Sequence, residues 1–483
     1  YTTLFRSYPY LNIGSEDFQT NSGTGSEYTS NSVFGRVIYS YADRYLFQAN
    51  VRHDGSSRFA KGYRWGTFPS FSAGWVASEE KFMKNLKWDW LSFLKLRGSW
   101  GMLGNERIGS NYFPYIALMS FGNSLFYMAD GSVVSDKTAR PAVLAVEDIT
   151  WETTTSTDLG LDVNFLNNRL QFHFDYYWKE TKDMLLNIEI PYFMGYNNPS
   201  TNAGKMSTHG YDIEVAWNDQ IGDFKYGVNV NFSDFLSKID YMNDGEQISG
   251  GKIKRAGVLF NEFYGYVCEG IYQTQEEVNN SARTSTTVTV GDLKYRDISG
   301  PDGVPDGVIS PEYDRVPLGN SLPRFQYGGS LNASYKGIDF SLAFQGIGKQ
   351  NSYLSTSMVQ PLRDNYGNVP AILEGKYWSP FNTTEENLAA KYPRLSNVSK
   401  SNNYATSNFW MFNGSYFRLK NITLGYTLPK SWTQKAGINR ARFYVSGSDL
   451  FCLSNFPSGW DPEMGTSDYP ITTSLVMGIQ VNF

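Results

Sequence analysis

Three carboxylates in one glycine-rich stretch are the residues of this sequence best suited to holding a ligand. Asp302, Asp306 and Asp314 lie in DISGPDGVPDGVISPEYDR, residues 297–315, together with Gly307 and Ile309. Oxygen donors spaced along a tight loop can wrap one hard cation such as calcium. An acidic, glycine-rich turn without metal is the other reading, and the residues leave both open. Asp158/Asp162 and Asp212/Glu214 have the residue types of glycosidase chemistry. In an extended strand, however, such spacings only line one wall. Ser and His occur in no G-x-S-x-G setting. His53, His173 and His209 form no pair at ligand spacing, and Cys268 and Cys452 form no metal or redox motif. The sequence therefore predicts no enzyme and no required cofactor, with calcium the one candidate ion.

A second set of candidates is aromatic. Tyr192, Phe193, Tyr196, Trp410 and Phe412 sit in or beside stretches rich in Asn, Ser and Gly. Rings next to amides suit sugars or peptides, which they hold by stacking and hydrogen bonds. Packing within loops or at a membrane interface uses the same rings, so substrate contact is only one of two readings.

The elements that must position these residues are strands. Leu170, Phe172, Phe174, Tyr176 and Trp178 share one face, against Gln171, His173, Asp175 and Tyr177 on the other. Leu159, Leu161, Val163 and Phe165 alternate in the same way, and Asn167-Asn168 between the two runs makes an antiparallel hairpin. The pattern recurs at Tyr45–Arg52, Tyr211–Trp217 and Tyr226–Phe232, giving roughly 14 candidate strands. Short turns such as Ala42-Asp43-Arg44 alternate with long polar stretches near 104–150, 184–205, 240–320 and 350–410. Aromatic residues make up 16% of the 483, yet mean hydropathy is -0.40. A soluble fold would need a thick core for so many rings, whereas a membrane barrel needs them on one strand face and in two girdles. No apolar run of about 18 residues exists to form a spanning helix. With net charge -5 and no basic cluster, nucleic-acid binding has little support. Leu475, Met477, Ile479, Val481 and Phe483 end the chain on one strand face, and a terminal aromatic there resembles the signal read by the outer-membrane insertion machinery.

Several long segments resemble the SusC-like (SusC/RagA) branch of TonB-dependent outer-membrane transporters of Bacteroidetes. They are residues 32–80, LKLRGSWGMLGN (94–105), residues 151–185, FRLKNITLGYTLP (417–429), and ARFYVSGSDLF with GWDPEM near the end. The resemblance implies an all-β transmembrane antiparallel barrel of about 22 strands. It also implies a plug domain and a short box that binds TonB. Residues 8–483 are expected to be the C-terminal part of that barrel, roughly two-thirds of it, with the plug missing. Tyr1 to Ser7 (YTTLFRS) reads as translated sequencing adapter and is left out of fold reasoning. Family members often carry a D-x-N-x-D-G-x-I loop near residue 300. Here Val304 takes the middle ligand position and the last carboxylate falls one residue late.

The expected function is import of oligosaccharides, or oligopeptides, across the outer membrane. The expected partners are a SusD-like surface lipoprotein, the TonB complex and outer-membrane lipid. A surface or secreted all-β glycan-binding module or hydrolase is the alternative, and a diffusion porin a third.

Overall fold

The computed structural model describes residue 25 and residues 27–483, apart from 87, 108–111, 118, 142–143, 244, 355–358, 362–367 and 466–468. Residues 1–7 lie outside the described residues.

Branched and aromatic residues at every second position, with polar residues between, form one antiparallel sheet of 13 strands among the described residues. In chain order they are β1 (Ser30–Tyr41), β2 (Tyr45–Ser56), β3 (Trp65–Val76), β4 (Leu91–Asn105), β5 (Glu152–Phe165), β6 (Leu170–Asn187) and β7 (Ser200–Ile221). There follow β8 (Phe224–Met242), β9 (Arg324–Tyr335), β10 (Ile338–Lys349), β11 (Tyr416–Thr427), β12 (Arg440–Ser454) and β13 (Ser474–Asn482). Each pairs with the next, so the sheet is an up-and-down meander with β1 and β13 as its open edges. Apolar side chains meet in rows across it, as Leu161 with Phe174, Phe174 with Ile213, and Ile213 with Phe232.

One face of this wall stays apolar and uncovered: Val37 is 62% exposed, Leu159 55% and Leu475 72%. A soluble sandwich would bury that face against a second sheet. No second sheet covers it among the described residues, and the exposed apolar band is the outer surface of a barrel wall. No described helix is long and apolar enough to cross a membrane.

The two ends of the wall differ. At one end the connections are tight. Ala42 and Asp43 take φ of 53° each, and Asn167 and Asn168 take 57° and 64°. Gly222 at 60° reverses the chain between β7 and β8, a backbone setting that a side chain would strain. At the other end the strands run far past the sheet edge, with 22 residues in β7 and 19 in β8. The expected loop at 184–205 shrinks accordingly to 188–199.

The long stretches are not open loops. Residues 243–323 form a four-stranded sheet (Glu246–Ser249, Lys252–Arg255, Glu262–Tyr266 and Arg315–Asn320) and a strand pair, Cys268–Ile271 with Leu293–Tyr295. These pack with residues from 350–413 around Tyr266, Leu293, Tyr295, Ile309, Leu354, Val359, Tyr404 and Trp410. A folded outer layer with its own core therefore stands on the long-loop end of the wall.

Candidate functional site

The polar face of the wall has two parts. Across β4 to β7 it is ionic. Arg97 reaches Asp175 at 2.6 Å, Asp162 at 3.2 Å and Asp158 at 3.6 Å. Lys95 and His173 add to Asp162 at 3.7 and 3.0 Å. Gly160 makes room for this knot, since a Cβ there would meet the Arg97 guanidinium at 2.4 Å.

From β8 to β10 the same face carries Lys225 and Asp339 near the tight turns and a neutral patch beyond them. Asn229, Asn231, Ser233, Gln326, Ser330 and Gln345 line a groove of about 530 Å³, with no charged residue in its lining. Register explains the groove: Gly328 sits between Asn231 on one side and Gln345 on the other, so the row lacks a side chain at its middle. Asn229 and Gln345 donate to the Glu214 and Glu463 carboxylates at 2.7 and 2.9 Å, while the other amides and hydroxyls of the groove can both donate to and accept from a neutral, hydroxyl-rich or amide-rich ligand.

The segment after β12 closes over the end of this groove. Arg418 on β11 is 3% exposed, and its guanidinium binds Asp461 and Glu463. Glu463 also accepts from the Gln345 amide at 2.9 Å, and Lys420 binds Asp449 at 2.8 Å. The carboxylates of GWDPEM thus staple their segment to the wall, and Trp460 just before them is carried to the mouth. There Trp460, Phe412, Tyr392, Ile372, Lys376 and Lys391 line a cavity of about 670 Å³. The Gln345–Glu463 hydrogen bond and the Glu463–Arg418 ion pair tie the lining of the groove to the segment that carries Trp460. The arrangement can hold an extended polar ligand by stacking and neutral hydrogen bonds; it positions no nucleophile or general base.

Residues 1–446 match the family model described as "TonB dependent receptor-like, beta-barrel". That match spans most of the chain. The chain belongs to this family.

The receptor is 31% identical to TonB-dependent receptor P3 of Formosa agariphila, over 94% of this chain and 45% of that protein. It is 30% identical to TonB-dependent receptor SusC of Bacteroides thetaiotaomicron, over 94% of this chain and 43% of that one. The chain spans about half the length of the curated relatives it matches, or slightly less. A solved structure described as the RagAB peptide transporter shares its fold at TM-score 0.75 and 24% identity, over 95% of this chain and 48% of the other. The resemblance to the SusC-like branch holds, the receptor is a protein of the outer membrane, and its relatives are receptors rather than enzymes.

The sequence-predicted site residues of the receptor scatter. Trp410 is 1% exposed, stacks on Tyr392 and Tyr404 and donates its Nε1–H to the Asn403 carbonyl at 2.8 Å. It is therefore a core ring of the outer layer, closed to ligand, which corrects the expectation for it. Phe412 does line the mouth cavity. Phe193 is 89% exposed, Tyr196 is half-buried, and the Tyr192 side chain lies outside the described residues.

Nor do the carboxylates expected for calcium converge. Asp314 is fully buried and accepts backbone N–H groups of Ile298, Ser299 and Ser310 at 2.7, 3.2 and 2.7 Å. Asp306 accepts from Val308 N, while Asp302 is exposed. Among the described residues no group of three metal-binding side chains forms. Asp314 is a loop staple whose oxygens are spent on the backbone, so this donor set does not fit a calcium ion.

Trp460, Tyr392 and the neutral groove were missed. GWDPEM did carry a signal, because two carboxylates flanking a Pro beside Trp ask for a cation, and Arg418 supplies it.

Proposed function

We propose that the protein works as an outer-membrane, TonB-dependent importer of oligosaccharides. The observation that carries this reading is the neutral groove at Gly328, tied through Gln345 and Glu463 to the segment whose Trp460 lines an aromatic mouth with Phe412. A sugar chain offers faces for stacking and hydroxyls for amide partners, and it needs no countercharge. Oligopeptides are the second reading, since amides pair equally well with peptide groups and a fold relative is described as a peptide transporter. A SusD-like lipoprotein would cover the mouth, and TonB would supply energy through the plug domain that family members carry. The protein makes and breaks no covalent bond in this scheme. Its chemistry is to hold cargo and let it go.

The test is calorimetric binding of neutral oligosaccharides and oligopeptides to protein purified from outer membranes, with Gly328→Leu as the probe. The new side chain fills the groove, and a Cβ alone already stands 3.2 Å from the Asn231 amide. Affinity for the cargo class should fall about tenfold, roughly 1.4 kcal/mol. A product found only in the soluble fraction, or binding indifferent to Gly328→Leu, would sink the reading.

A further inference from the structure

The apolar face of the wall is not uniform. Near the tight-turn end of β10 to β13, two rows of side chains stand in register. Ile338, Tyr426, Phe443 and Ile479 form one, and Leu424, Val445 and Met477 the other. Together they line a groove of about 790 Å³ on the membrane side. The connection between β11 and β12, the two central groove strands, runs from Leu428 to Asn439. With Arg440 it reads LPKSWTQKAGINR, without Asp or Glu: Lys430 and Lys435 lie in the connection, while Arg440 opens β12 on the polar face that it shares with Arg442. Its short helix, Lys430–Thr433, presents Trp432 at 64% exposure. Gly437, at φ 70°, then turns the chain back so that Asn439 N–H reaches the Asn482 carbonyl of β13.

The other tight-turn connection that contains a helix is different. Around Lys81–Leu86, Lys84 pairs with Glu79 at 2.6 Å and Arg44 with Glu80 at 2.9 Å. Positive charge there is answered within the protein, whereas the 428–439 connection that carries Lys430 and Lys435 contains no Asp or Glu.

We propose that this groove and the 428–440 turn together hold one anionic phospholipid of the inner leaflet. Short turns mark the periplasmic end of an outer-membrane barrel, so the turn lies at the depth of inner-leaflet headgroups. An acyl chain lies along Leu424, Val445 and Met477. The phosphate sits between Lys430 and Lys435, and Trp432 anchors at the headgroup level as interfacial tryptophans do. Charge complementarity selects the lipid: cations at an anionic surface each add severalfold to affinity.

Protein purified from outer membranes in mild detergent is mixed with phosphatidylglycerol or phosphatidylcholine, and retained lipid is counted by native mass spectrometry. Phosphatidylglycerol should be retained about tenfold more strongly. The variant Lys430→Gln/Lys435→Gln should lose that preference. Val445→Trp should reduce retention of both lipids by filling the groove, while Lys81→Gln in the other turn should change neither. Heat-dependent gel migration reports separately that each variant is folded, and if the double variant is not, Lys435→Gln alone should weaken the preference. Equal retention of the two lipids by the unaltered protein, or a folded cation variant that keeps the preference, overturns the proposal. Cargo binding is read independently, so neither result bears on the import reading.

Discussion

The wall and the outer layer are built on opposite plans. In the wall, backbone ladders between sequence neighbours hold every strand, and the apolar side chains face outward to remain uncovered. In the outer layer, short strands from distant segments are held by side chains, around a core that resembles that of a soluble domain. Its centre is polar. Asp292 is fully buried and accepts from Arg394 Nε at 2.7 Å, Asn403 Nδ2 at 2.9 Å, Ser399 Oγ at 2.8 Å and Thr289 N at 2.9 Å. One carboxylate thus ties residues 289–293 to residues 394–403. The lesson is that membrane strands can spend their apolar residues on lipid only because the ladder does the holding, while the layer in water must make a core.

The largest test of that contrast is Asp292→Ala. Removing one partner of a buried ion pair costs about 3–5 kcal/mol. Limited proteolysis should then cut within 243–413 while heat-modifiable migration of the barrel survives. Loss of both together would show that the two regions are one cooperative unit. The complementary change is Val215→Arg, placed between the Tyr211 and Trp217 rings on the lipid face. It should lower wall stability by about 2–4 kcal/mol, read as a drop in the temperature of the mobility shift.

Alkaline pH should separate the regions more gently. Burial pushes the Cys268 thiol up to about 11 and the Tyr272 and Tyr353 phenols up to about 12, with Tyr295 and Tyr404 raised too. Folded-state values above the unfolded ones mean that the unfolded chain loses protons first. The stability of the layer is therefore whole below about pH 9 and declines as pH rises through 9 to 12. Protease resistance of the layer should fade in that window. Cys268 should also resist alkylation at pH 8 until the layer is opened. The smallest effect concerns Asp314. Asp314→Ala orphans three backbone N–H groups and should loosen residues 297–315 by about 1–3 kcal/mol. A chelator should leave the same segment unchanged in proteolysis, and a chelator-dependent opening would restore a metal to it.

The wall was legible because period-two alternation is a local signal. Leu170 to Trp178 and their polar alternates announce a strand without knowledge of any partner, and Asn167-Asn168 announces its turn. The layer was not legible because its partners are far apart. Asp292 and Asn403 look like ordinary loop residues until the fold sets them 2.9 Å apart. Trp410 misled for the same reason: an aromatic among amides is the same pattern whether it meets a ligand or Tyr404. Strand length was underestimated in β7 and β8 because their upper halves, such as Ser200 to Thr208, carry small polar residues that read as loop. The carboxylates near residue 300 suggested metal because sequence shows ligand types but not whether backbone N–H groups have already taken them.

The meander also sets a timetable. Each wall strand finds its partner in the next stretch of chain, so pairing can advance hairpin by hairpin with little loop-closure cost. The layer cannot start so early, since its central carboxylate waits for an asparagine 111 residues further on. Until residue 403 reaches Asp292, the segments that form the layer lack the polar network at its centre.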